Sequence, residues 1–202
     1  MNEATGTALS PAAMRDQTPK TSRRLLVTLV GVVFLAGCAI GGVWIYNQVT
    51  CQKPLQRLLV ADPRNGVLQA KAHLDGWIDP DSLVFDVTDI SGNASQMDVF
   101  RVFLQYANAQ KDRQYRKVVL ASYGDKKFVL PGDYFHQLGQ EYDAQNPVYT
   151  VRTFPHHVST LDGAKPFPEP EGGILWVIGK EMEEFNQFNR RWYLDDYIAR
   201  HK

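Results

Sequence analysis

From Leu25 to Tyr46 the chain runs for 22 residues without a formal charge, and nothing else in the sequence constrains its fold so strongly. As a helix this stretch would extend about 33 Å at ~1.5 Å per residue. A hydrocarbon core is roughly 30 Å thick, so the reading is a single N-terminal transmembrane helix whose partner is the lipid bilayer. Trp44 and Tyr46 stand at its outer end, where an interfacial aromatic belt would lie.

Two other readings of the same stretch have sequence support. Leu35-Ala36-Gly37-Cys38 resembles the lipobox of bacterial lipoproteins, which implies a chain acylated at Cys38. Ser22-Arg23-Arg24-Leu25-Leu26 is similar to the twin-arginine export motif. Against cleavage stands the continuation Ala-Ile-Gly-Gly-Val-Trp-Ile-Tyr after Cys38, because a processed chain would begin with apolar residues instead of a polar tether. The apolar run also overruns the h-region of about 7 to 15 residues in a secretory signal. Arg15, Lys20, Arg23 and Arg24 precede the span, against Lys53, Arg57 and Arg64 beyond it. That bias puts the N-terminus in the cytoplasm and the C-terminal domain in the periplasm or outside the cell. Gly37 and Gly41 form a GxxxG pair, the spacing that lets two membrane helices approach in a homodimer, and Cys51 could cross-link such a dimer.

The rest of the chain divides around this span. Residues 1–24, rich in Ala, Thr, Pro and Ser, read as a disordered cytoplasmic tail. Residues 25–46 form the span, 47–66 a linker with Leu55, Leu58 and Leu59 at helical spacing, and 67–202 one exported α+β domain. Alternation at Leu68, Ala70, Ala72 and Leu74 predicts a half-buried strand, and Leu83–Val87 a second, antiparallel to it. Ser95-Gln96-Met97-Asp98 fits a capping box ahead of a helix whose apolar arc is centred on Phe103 and whose opposite arc includes Arg101. Gly124-Asp125 joins two strands of a hairpin, and Pro131-Gly132-Asp133 opens a second helix that Asn146-Pro147 stops. With Val148–Phe154 as a further strand, the order from Leu83 is βαββαβ, that of the ferredoxin-like sandwich. A Pro- and Gly-rich loop over 162–173 leads to a long C-terminal helix, Ile174 to about Ala199. On it Tyr193 and Tyr197 fall off the apolar stripe, and either wrap the helix end onto the domain or offer an aromatic edge to a partner.

The charges balance, 22 basic against 22 acidic, so a nucleic-acid surface is not implied. The two cysteines, Cys38 and Cys51, both precede the domain, which leaves it without an internal disulfide or a CxxC zinc site. No nucleophile elbow or phosphate-binding glycine loop occurs, and no catalytic, metal or cofactor residue is assigned. The leading expectation is therefore a membrane-anchored envelope interaction module without catalysis, its partner an unidentified envelope protein. The alternative is a membrane-tethered, metal-dependent hydrolase built on Asp133, His136, His156 and His157, the residue types that ligate zinc.

Overall fold

A computed structural model of the protein describes residues 20–202 apart from Trp77, with side chains from Leu26 onward. The tail expected over 1–24 lies, as far as Pro19, outside the described residues, and Lys20–Arg24 already belong to the first helix. The chain divides into two compact units at Gly41/Gly42. The first holds most of helix α1 (Lys20–Asn47), whose large apolar residues from Leu26 to Ile40 are 59–71% exposed among the described residues. Leu26–Ala61 is long and apolar enough to cross a membrane.

The second unit is a mixed α+β fold. Its sheet has four strands in the order β1 (Leu68–Asp75), β2 (Asp79–Ile90), β3 (Lys117–Ser122), β4 (Asp125–Pro131). The outer pairs are antiparallel and β2 lies parallel to β3, which requires the crossover supplied by α3 (Gln96–Ala109). Ser95 starts that helix as the sequence predicts: its hydroxyl accepts from the Asp98 N–H, and the Asp98 carboxylate accepts from the Ser95 N–H. The β3–β4 turn is Tyr123-Gly124, one residue before the expected Gly124-Asp125, and both residues lie at positive φ, 52° and 88°, as a type I′ hairpin demands.

One face of the sheet buries Leu83, Phe85, Val118, Leu120, Phe128 and Leu130 against the helices. Phe103 sits fully buried at the centre, its ring 5.3 Å from Phe85, 5.6 Å from Phe154 and 6.0 Å from Trp192. On the opposite face Val84, Val119 and Ala121 form a small second cluster. Above it, Asp75 from the β1–β2 hairpin reaches Lys126 at 2.6 Å and Lys117 at 3.8 Å.

Three segments differ from their sequence expectation. Residues 47–66 are no linker: a π-helical turn (Gln48–Gln52), α2 (Lys53–Ala61) and a 3-10 turn (Pro63–Val67) pack Cys51 and Leu55 into the core. The polar side chains of this segment finish the sheet, since Asn47 Oδ1 accepts from the Leu74 N–H at 2.7 Å and Gln52 Oε1 from the Ala72 N–H at 2.8 Å. Those are the amides that β1, an outer strand, cannot give to a neighbour. Cys51, fully buried, is not available to cross-link a dimer, and burial pushes its thiol up to about 11.

Residues 148–154 are not a strand but the body of α5 (Pro147–His157). Asn146-Pro147, read as a helix stop, is a helix start, because the Asn146 side chain accepts from the Val148 N–H and proline suits the first helical position. The βαββαβ order therefore lacks its last strand, and the sheet runs in simple sequence order instead of the ferredoxin-like one. The C-terminal helix is continuous from Ile174 to Arg200, as α6 (Ile174–Asn189), a π-helical turn (Arg190–Leu194) and α7 (Asp195–Arg200). Tyr193 is buried within it, so the exposed aromatic is not Tyr193 but Trp176 near its start.

Candidate functional site

The four residues considered for a metal site stand on two helices, α4 (Gly132–Gln140) and α5, and their side chains are spent on separate contacts. His156, at the end of α5, faces α6, where its Nε2 lies 3.0 Å from Glu184 with both side chains buried. His157 turns the other way and stacks on Tyr134 of α4, ring centroids 3.6 Å apart. Burial and the neighbouring His156 hold the His157 imidazole below its ordinary range. His136 Nδ1 lies 3.3 Å from the Arg113 carbonyl, and Asp133 opens α4. Among the described residues no three His, Cys, Asp or Glu side chains gather as a metal would need.

The seam between α5 and α6 is nevertheless charged. One turn before His156, Arg152 grips Glu181, Nε to Oε2 at 2.6 Å, and Glu181 is itself buried. Two buried carboxylates on α6 each meet one side chain of α5, Arg152 on Glu181 and His156 on Glu184, and so couple the two helices. Sequence reasoning did not single out Glu181 or Glu184. Their i,i+3 spacing opposite Arg152 and His156 emerges only once 147–157 is recognised as helical.

A concavity lies on the outer side of α3. There the stripe Met97, Arg101 and Leu104 faces the end of α4 and the start of α5 across a groove of about 550 Å³, within the range of ligand sites. Phe100, Leu138 and Val151, all buried, make its floor. The rim carries Glu141, Asp143 and Arg101. Arg101 is already committed: its Nη1 meets Asp98 at 2.6 Å, and its Nη2 donates to the Arg64 carbonyl at 3.0 Å. It ties α3 to the 3-10 turn rather than standing free on the solvent arc. Glu141 accepts from the neutral Gln137 and Gln145 carboxamides and meets no cation among the described residues, so the rim is negative over an apolar floor, a combination that accepts a partner apolar in one stripe and basic beside it. From sequence Leu104 belongs to the apolar, sheet-facing arc and Met97 only to the capping box, so neither signals a groove.

Comparison with protein family models, with curated proteins and with solved structures returned no significant match to any of the three, so the reading of this chain rests on its own residues.

Proposed function

We propose that the chain is a single-pass membrane protein, N-terminus in the cytoplasm, whose C-terminal α+β domain lies in the periplasm or outside the cell and serves as a non-catalytic interaction module. The observation that carries the anchor is the bare apolar surface of α1: leucines, valines and Phe34 that in water would expose a patch far beyond the few hundred Å² normal for a soluble protein. Retention, rather than acylation at Cys38, is supported by the helix that continues unbroken through Cys38 to Asn47. The groove beside α3 is the place assigned to the partner, an envelope protein presenting a helix with an apolar stripe flanked by lysine or arginine. Glu141 and Asp143 supply the complementary charge.

Alkaline phosphatase fused after Lys202 should be active, and intact mass of the membrane-extracted protein should show an uncleaved chain. A mature species starting at acylated Cys38 would replace the anchor by a lipid. For the groove, a photo-crosslinker at Met97 should yield an adduct that Leu104→Glu abolishes, whereas one at exposed Val60 should not. An adduct indifferent to Leu104→Glu would remove the groove from the reading.

A further inference from the structure

A second cavity, of about 460 Å³, opens where the polar face of the helical segment 47–56 passes the sheet. Gln48, Gln52 and Gln56, four residues apart, line one wall, and Lys71 and His73 of β1 with Asp86 of β2 line the other. Carboxamides both donate and accept, so this wall can meet either end of a polar ligand. Gln52 spends only its Oε1, on the Ala72 N–H, which leaves its NH₂ for the cavity.

The opposite wall holds one full charge of each sign. Lys71 and Asp86 are register partners across the antiparallel β1–β2 pair, a position at which side chains stand roughly 5 Å apart. Yet among the described residues they form no ion pair with each other. Asp86 is only 6% exposed and accepts a single hydrogen bond, from the Gly124 N–H to Oδ1 at 3.1 Å. Desolvation raises its carboxyl above the ordinary range, outweighing the Gly124 hydrogen bond and the neighbouring His73 and Lys71, which pull it down. A lone anion entering here would meet Asp86, and a lone cation would meet Lys71. Among the residues that line the cavity the His73 imidazole is the one ring, and no Phe, Tyr or Trp is there to stack on the apolar face of a sugar.

We propose that this cavity binds a free α-amino acid, its ammonium group on Asp86, its carboxylate on Lys71, and its remaining polar groups on the glutamine wall. An α-amino acid carries its two opposite charges a few ångströms apart, which matches a lysine and an aspartate facing each other without touching. The site is separate from the groove beside α3 and stands or falls independently of it.

The test is isothermal titration of the full-length chain in detergent with free amino acids, with N-acetylalanine, with alanine amide and with methyl glucoside. Free amino acids should bind saturably. The two blocked alanines, each lacking one charge, should bind at least about tenfold more weakly, as loss of one charge-assisted hydrogen bond implies. Asp86→Asn and Lys71→Gln should each cause a loss of the same order. Lys71 is exposed, so Lys71→Gln keeps the fold and remains informative even if Asp86→Asn does not. No saturable binding of any free amino acid to about 10 mM would overturn the proposal. So would blocked alanines binding as tightly as alanine, or methyl glucoside binding while amino acids do not.

Discussion

Two buried tyrosines show how differently the same hydroxyl can count. Tyr106 OH donates to the Cys51 carbonyl at 3.1 Å and joins α3 to the helical segment before the sheet, whereas the Tyr193 OH is buried with no hydrogen-bond partner. Tyr106→Phe should therefore cost about 1 to 2 kcal/mol in denaturant titration, and Tyr193→Phe should cost nothing or gain up to about 1 kcal/mol. Phe103→Ala, at the centre of the aromatic core, should cost about 3 to 5 kcal/mol. His157 gives a pH signature. Its imidazole is held below the ordinary value near 6.5, so the unfolded chain takes up the proton first. The stability it contributes is present above about pH 6.5 and is lost as pH falls below it. His157→Phe keeps a ring on Tyr134 without the titration, and its unfolding free energy should fall less steeply than wild type from about pH 7 to 5.

At the scale of elements, the close approach of α3 and α4 depends on Gly139, where an added Cβ would lie 2.4 Å from the Ala107 carbonyl oxygen. Gly139→Ala should separate the helices at a cost of about 1 to 3 kcal/mol, read by thermal melting, while Asn146→Ala at the α5 cap should cost about 1 kcal/mol. Elements whose signals are local were legible in the sequence: the alternation of β1, the capping box of α3, the turn of the hairpin and the length of the C-terminal helix. Residues 148–154 misled because Val, Tyr and Thr favour strands, while the burial of Thr150, Val151 and Phe154 that makes them helical is a tertiary fact. The segment 47–66 misled for a related reason. Asn47 and Gln52 look like surface polar residues until the outer strand they serve is in place. Of the candidate site, the four residue types were visible, but whether they converge depends on which way α4 and α5 turn their side chains.

For the whole molecule, the domain begins well before its first strand. A chain starting at Lys53 loses Asn47, Thr50, Cys51 and Gln52, which strips the core and leaves the Ala72 and Leu74 amides unmatched. It should melt without cooperativity, whereas a chain starting at Gly42 should unfold in a single transition by circular dichroism. The far side of the sheet is closed as well: β4 pairs through Val129 with Ser159, each donating its N–H to the other's carbonyl at 2.8 Å. Carboxamides on the Ala72 and Leu74 amides along one margin and the Val129–Ser159 bridge along the other interrupt both edges of the sheet. A ladder whose edge amides are partly engaged gives a neighbouring copy fewer places from which to extend it into a fibre.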